Sequence, residues 1–255
     1  MRDFVDVDAQ TVQRLVEEMA THGIAVLEGA LSEEQLQRGR DYIQGEVRRR
    51  PHEYFAIHGM NTLAETLFET LGKAPTFLHT LDQLCQNGLQ NPPRSKDMSL
   101  ELRCVQGRSG RRESYYFHYD AAVLTALVPF YIPTEEGNCG DFITFPNRRP
   151  VRASLLLNVL EKALLQNSLS QRLVALAIRL GLLEPLKVKL VPGNVYFFWG
   201  YRSLHANEPC DPQLLRATAL YHFGNPHAGS WFARQFMARN IRTANRRRGA
   251  LQGHT

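Results

Sequence analysis

Val12, Leu15, Val16 and Met19 recur at i, i+3, i+4 and i+7, which places them on one face of a helix that Gly23 can end in a left-handed cap. The strand IAVLEG follows directly. Ser32-Glu33-Glu34-Gln35 has capping-box spacing, and Leu31 and Leu36 flank it as a hydrophobic staple, so a second helix is predicted from about Glu33 to Val47. RRRPHEYFAIHG, residues 48–59, has no clean period and reads as a loop. Amphipathic helical stretches follow near Thr62–Leu71 and Pro75–Gln86, and then a second loop, NGLQNPPRSKD. From about Leu100 the chain changes to short strands separated by turn signals. ELRCVQ and ESYYFHYD flank the Gly-rich segment GRSGRR and predict a hairpin. VLTALVPFYI is an apolar strand containing a proline, and GDFITFP alternates after the turn EEGNCG. A helical insertion at about 153–183 carries a second capping-box spacing, Ser168-x-x-Gln171, and stops at Gly181. KVKLVPG, NVYFFW and LRATALYHF complete about seven strands. This pattern predicts a mainly-β fold with flanking α: a sandwich or open barrel braced by N-terminal helices.

The 255 residues fit one domain with appendages: helical support at 1–99, a β core at 100–225 and an extension at 226–255. Hydrophobic residues at 44% and charged residues at 22% describe a globular chain. Its longest apolar runs, Leu155–Leu157 and Leu173–Ile178, fall far short of the roughly 20 residues of a membrane span. The start, MRDFVDVDAQ, lacks the apolar core of a secretory signal. Cys85, Cys104, Cys139 and Cys210 form no C-x-x-C pair and read as reduced thiols of a cytoplasmic protein; Cys139 and Cys210 stand too far apart in sequence to suggest a metal pair. Net charge is +5, yet seven arginines and no acid follow Asp211, so residues 1–211 carry 23 basic and 25 acidic side chains. The basicity belongs to the C-terminal end, which reads as a solvated terminus and makes nucleic acid an unlikely partner.

Candidate chemistry begins at Phe117-His118-Tyr119-Asp120. Side chains two apart on a strand share a face, so His118 and Asp120 can offer an imidazole and a carboxylate to one metal ion; alone, the pair is equally a strand end facing solvent. His205 follows the aromatic strand NVYFFW, and eleven residues later Arg216 lies in an apolar strand. Two His and one carboxylate from separate strands suit a ferrous ion with three open positions. A buried arginine implies an anionic partner, and a guanidinium fork suits a carboxylate.

In these residues the chain resembles the Fe(II)- and 2-oxoglutarate-dependent oxygenases, most closely the phytanoyl-CoA dioxygenase-type branch, which THGIAVLEGALSEEQL is similar to in its helix, strand and helix. GDFITFP and NVYFFW are similar to strands of the prolyl-hydroxylase branch. The resemblance covers residues 8–47 and 100–224 and implies a double-stranded β-helix, or jelly roll. It implies that His118, Asp120 and His205 ligate iron and that Arg216 holds the distal carboxylate of 2-oxoglutarate. It further implies that Tyr131 assists that carboxylate, that Asn207 stands where the branch often has a serine, and that Gln106 contacts the keto-acid end. Because Asp120 is present, the pattern implies hydroxylation of an unactivated C–H bond by O2, with release of succinate and CO2, in preference to halogenation.

For the substrate, Tyr119 and Trp199 are candidate pocket walls, though aromatic residues at strand spacing also make ordinary core. Arg103, Arg148, Arg149 and Arg152 near strand ends are candidates to hold an anionic substrate, and the loops 48–59 and 87–97 are candidate lids. A small-molecule substrate leads. A peptide or protein hydroxylase and a non-catalytic jelly-roll metal-binding module are the alternatives. Nucleic-acid demethylases of this superfamily typically carry a second arginine where this chain has His222, which reads as a satisfied core histidine and not a fourth ligand.

Overall fold

A computed structural model of the chain describes residues 4–134, 138–151, 161, 164, 165 and 167–226. Helix α1 (Ala9–Thr21) starts where the Asp8 side chain accepts a hydrogen bond from Thr11 N at 2.7 Å, and it buries Val12, Leu15, Val16 and Met19 as the periodicity predicts. After β1 (Ala25–Leu27), α2 (Glu33–Arg49) opens with the full Ser32–Gln35 capping box and runs two residues beyond the expected end. Within the expected 48–59 loop the structure has a strand, β2 (Phe55–His58), whose alternating burial seats Phe55 and Ile57 against the core. Helices α3 (Leu67–Lys73) and α4 (Pro75–Gly88) complete the helical layer. The strands β3 (Met98–Val105), β4 (Leu124–Tyr131), β5 (Phe142–Phe145), β6 (Leu186–Val188), β7 (Val195–Phe198), β8 (Leu204–Asn207) and β9 (Arg216–Phe223) follow, with α5 (Ser168–Arg179) before β6.

The strands form two sheets in which every pairing is antiparallel: a six-stranded sheet, β1-β7-β4-β9-β3-β2, and a three-stranded sheet, β6-β5-β8. The predicted GRSGRR hairpin is absent. Residues 107–110 and 111–113 instead make short helical turns, and β3 pairs with β2 and β9. The chain thus crosses from the large sheet to the small one, where His118 joins the free edge of β8 through a single bridge to His205.

Period-two alternation divides the side chains into three layers. Leu102, Ala126, Phe197, Ala219 and Tyr221 face the helices and pack with Leu15, Met19, Leu71 and Phe77. Leu127, Phe142, Tyr196, Phe198 and Leu220 lie between the sheets. Phe117, Tyr119, Ile143, Phe145 and Leu204 form the far side of the small sheet, against Val174 and Ile178 of α5. His118, His205, Thr125, Arg216 and His222 belong to the intersheet face by the same alternation.

Candidate metal centre

The single bridge between residues 118 and 205 is a mutual pair of backbone hydrogen bonds, each 3.0 Å, so the two histidines face each other on adjacent chains. Each ring turns the same way for the same reason. His118 Nδ1 lies 2.9 Å from the Tyr116 carbonyl and His205 Nδ1 lies 2.9 Å from the Ser203 carbonyl. A carbonyl only accepts, so Nδ1 of each ring carries the proton and Nε2 presents its lone pair. Those Nε2 atoms lie 3.7 and 3.5 Å from Asp120 Oδ1, and the three donors sit within 4.8 Å of one another.

The other oxygen of Asp120 is taken. Thr125 Oγ1 donates to Asp120 Oδ2 at 2.5 Å, and His222 Nδ1 stands 3.5 Å from the same atom. Beneath the carboxylate is Gly200, whose carbonyl accepts from Asp120 N at 3.0 Å. A Cβ at Gly200 would lie 2.1 Å from Asp120 Oδ2, so only glycine leaves room there. The site therefore offers one carboxylate oxygen and two imidazole nitrogens.

Electrostatics prepare the same donor set. Burial pushes the His118 pKa down to about 3, and the neighbouring His205 adds to this, which keeps the ring neutral with its lone pair available. Burial opposes ionisation of Asp120, but the facing His205 and His222 hold its carboxyl well below the usual range. For His222, burial disfavours the protonated ring and Asp120 outweighs it, raising the pKa. His205 Nε2 is buried and has no hydrogen-bond partner. Such an orphan is costly in an apolar setting, and a metal ion at this point satisfies it. The residues present fit a divalent metal with a preference for nitrogen and oxygen donors.

Arg216 begins β9 on the same intersheet face and is fully buried. Its Nη2 donates to Asn207 Oδ1 at 2.9 Å, while Nε and Nη1 have no hydrogen-bond partner. Burial lowers its pKa to about 10, so it remains a cation at neutral pH. A buried, under-bonded cation is the receptor half of an anion site. Gly140, at φ +73°, makes space for it: a Cβ there would lie 2.8 Å from Arg216 Cδ. Arg103, across the ladder opposite Thr218, is also on this face, with Glu101 and Glu113 each at 3.5 Å.

No protein-family model matches the chain, and no curated protein matches it by sequence. Solved structures do. SnoN, a non-heme α-ketoglutarate-dependent epimerase from nogalamycin biosynthesis, is similar over 84% of this chain and 82% of its own, with a TM-score of 0.53 at 13% identity. A prolyl hydroxylase from Trichoplax adhaerens, solved with a hypoxia inducible factor oxygen degradation domain peptide, matches over 85% of this chain and 90% of its own (TM-score 0.54, 11% identity). A prolyl 4-hydroxylase from Phytophthora capsici matches over 89% and 70% (TM-score 0.54, 12% identity). The chain shares the fold of these enzymes.

Within this fold the expected site residues separate into two groups. His118, Asp120, His205, Arg216, Asn207 and Arg103 share the intersheet space. Tyr131, Gln106, Tyr119 and Trp199 do not. A β-bulge between Pro129 and Tyr131 pairs Tyr131 with Ala217 and brings its ring under Arg40 of α2, 5.7 Å away, so it packs on the helical side. Gln106 donates to the carbonyls of Arg50 and Glu53 at 2.8 and 3.0 Å and thereby ties down the 50–53 segment. Tyr119, between two candidate ligands, packs instead in the cluster on the far side of the small sheet; its ring lies 3.9 Å below the Arg149 guanidinium. Trp199 packs in the helical core against Gly88 and Val16. Arg149 is consumed by the Tyr201 carbonyl at 2.7 Å and Glu161 at 3.0 Å, Arg148 lies exposed over Phe145, and Arg152 falls outside the described residues.

A cavity of about 270 Å3 opens beside Asp120 and His222 and is also lined by Met98, Ser99, Ala121 and Asn225. Asn225 also borders a larger groove, about 930 Å3, walled by Leu89, Pro92, Pro93 and Arg202. Of the two candidate lids, the 87–97 segment therefore flanks an open groove, and the 48–59 segment is largely anchored by β2 and Gln106. No helix among the described residues is long and apolar enough to cross a membrane.

Proposed function

We propose that this chain is a single-domain, jelly-roll Fe(II)- and 2-oxoglutarate-dependent dioxygenase that hydroxylates an unactivated C–H bond of a small molecule, and that its nearest kin are of the phytanoyl-CoA dioxygenase type. The observation that carries this reading is the convergence of three donor atoms, within 4.8 Å of one another, in the same intersheet space as a buried arginine with two unbonded nitrogens. His118 Nε2, His205 Nε2 and Asp120 Oδ1 would hold the iron, and Arg216 with Asn207 the distal carboxylate of 2-oxoglutarate. Bound iron supplies the oxidative decarboxylation of the keto acid to succinate and CO2 and the oxidation of the substrate C–H bond by O2.

The protein's contribution is positioning. The Tyr116 and Ser203 carbonyls aim the two rings, and Thr125 with His222 reserves Oδ2 so that Asp120 presents a single oxygen. Phe142 and Phe198 pack against the His205 ring, at 5.6 and 5.0 Å between centroids, and keep water from that side. The small cavity beside Asp120 and His222 is the candidate route for substrate, and Arg103, on the intersheet face, is the candidate to meet an anionic group on it. The adjoining larger groove favours a second reading, a peptide hydroxylase, because an extended chain can lie along it with one residue at Asn225.

The test is an anaerobic titration of the protein with Fe(II) and 2-oxoglutarate, following the weak visible charge-transfer band of the chelate. The band is expected in the wild type and lost or shifted in Asp120→Ala. Iron binding without a band would remove 2-oxoglutarate from the site and bring forward the non-catalytic metal-binding module.

A further inference from the structure

Cys139 and Cys210, 71 residues apart, stand opposite each other in the structure. The β5–β8 ladder continues past Phe142–Asn207 to a bridge between the two cysteines. Its hydrogen bonds run between their neighbours: Gly140 N to the Pro209 carbonyl at 3.1 Å and Asp211 N to the Asn138 carbonyl at 2.8 Å. The cysteines themselves are thus a non-hydrogen-bonded antiparallel pair. At such a pair the side chains come closest, with Cα atoms about 4.5 Å apart, inside the roughly 4.4–6.8 Å that a disulfide spans.

The pair lies directly behind the candidate anion site. A Cβ built on Gly140 would stand 3.1 Å from Cys210 Cβ and 2.8 Å from Arg216 Cδ, so the Gly140 backbone fills the space between the dithiol and the arginine stem. The two thiols differ in access. Cys139 is partly exposed, while Cys210 is buried and burial pushes its pKa up to about 11, with the Arg216 charge acting the other way. Peroxide therefore meets Cys139 first.

We propose that Cys139 and Cys210 form a redox-active dithiol that closes to a cross-strand disulfide and, in closing, loosens the hold of Arg216 on its anion. The chemistry balances with hydrogen peroxide as oxidant. The Cys139 thiol takes one oxygen, giving a sulfenic acid and one water; the Cys210 sulfur then attacks the Cys139 sulfur, expelling hydroxide, which leaves as a second water with the Cys210 proton. A disulfide prefers Cα atoms about 5.5–6 Å apart, more than the pair's starting separation, so closing the bond spreads the two strands at this point; Gly140, packed between the dithiol and the Arg216 stem, moves with its neighbour, and the guanidinium shifts away from Asn207. The second half of the proposal rests on the reading of Arg216 as the 2-oxoglutarate arginine; the first half does not.

The experiment uses the full chain, stripped of metal, exposed to stoichiometric hydrogen peroxide and blocked with an alkylating agent. Peptide mass analysis should find residues 139 and 210 linked, with the loss of two hydrogens and reversal by dithiothreitol. After removal of peroxide and anaerobic addition of Fe(II), 2-oxoglutarate should bind on the order of tenfold more weakly to the oxidised than to the reduced protein. Cys210→Ser and, independently, Cys139→Ser should bind 2-oxoglutarate like the reduced wild type and stay insensitive to peroxide. Oxidation of Cys139 that stops at sulfinic acid, without a link to Cys210, overturns the dithiol. A link that leaves 2-oxoglutarate affinity unchanged overturns the coupling to Arg216. Absence of the charge-transfer band in both redox states, with the link still formed, is instead a failure of the oxygenase reading.

Discussion

At Gly200 a single methyl group decides whether Asp120 keeps its place. Its Cβ would enter within 2.1 Å of Asp120 Oδ2 and 2.5 Å of Thr125 Oγ1, and both are held by their mutual hydrogen bond. Gly200→Ala should expel the carboxylate, weaken iron binding by roughly 10–100-fold and cost about 1–3 kcal/mol of stability. Equilibrium metal titration alongside urea unfolding measures both, and unchanged iron affinity would remove Gly200 from the positioning set. Arg216 should behave in the opposite sense. It is a desolvated cation with two unbonded nitrogens, so Arg216→Met keeps most of its volume and removes the cost of burying the charge. The apoprotein should gain about 1–3 kcal/mol, since apolar replacement of buried ionic groups is often neutral or stabilising, while 2-oxoglutarate binding falls steeply. A variant as destabilised as a cavity mutant would mean that Arg216 serves the fold and not a ligand. His118, Asp120, His205 and Arg216 were visible in the sequence because their type and order carry chemical meaning, although the strand predicted around His118 and Asp120 reduces to a single bridge at His118. Gly200 was not, since the lack of a Cβ matters only once an opposing carboxylate is known.

The insertion helix α5 does for the His118 segment what a neighbouring strand would otherwise do. The Gln171 side chain accepts from Phe117 N at 2.6 Å and donates to the Phe117 carbonyl at 2.5 Å, replacing both bonds of a ladder position. Gln171→Ala leaves the Phe117 carbonyl without its partner and Phe117 N with only the Tyr115 carbonyl at 3.0 Å, at a cost of about 1–3 kcal/mol, and frees the segment that carries His118. Gln171→Glu should recover only half, because a carboxylate accepts but cannot donate. The order wild type, Glu, Ala should appear in unfolding midpoints and again in iron affinity; iron affinity that ignores the substitution would detach α5 from the site. Local signals were read correctly where the chain uses them locally: the Ser32–Gln35 box caps α2, whereas the predicted Ser168-x-x-Gln171 box does not form, because Asn167 caps α5 and the Gln171 side chain is spent on Phe117. Elements set by distant partners were not. GRSGRR has hairpin composition, yet β3 finds its partners in β2 and β9 because those strands complete a buried face. β8 is only Leu204–Asn207, too short for a period, and the bulge that turns Tyr131 toward α2 is a property of the β4–β9 register, which no local pattern encodes.

Across the whole molecule, the candidate donors tie one sheet to the other. His118 and His205 belong to the small sheet, whereas the Asp120 carboxylate is fastened to Thr125 and faces His222 on the large one. An ion held by all three would cross-link the two layers in the folded state alone, so binding must raise stability by mass action. Iron at about 100 times its dissociation constant adds about 2.7 kcal/mol, which for a chain of this size corresponds to a rise of roughly 5–10 °C in the unfolding midpoint. Anaerobic thermal denaturation should show this rise with Fe(II), a further increment with 2-oxoglutarate, and return to the starting midpoint on chelation. The variants separate the two increments. Asp120→Ala should lose both, because the metal increment comes first and the cosubstrate needs the metal. Arg216→Met should keep the iron increment and lose most of the second. A midpoint that rises equally in wild type and Asp120→Ala would place the metal elsewhere on the chain, and the sheet-bridging account of the centre would fall with it.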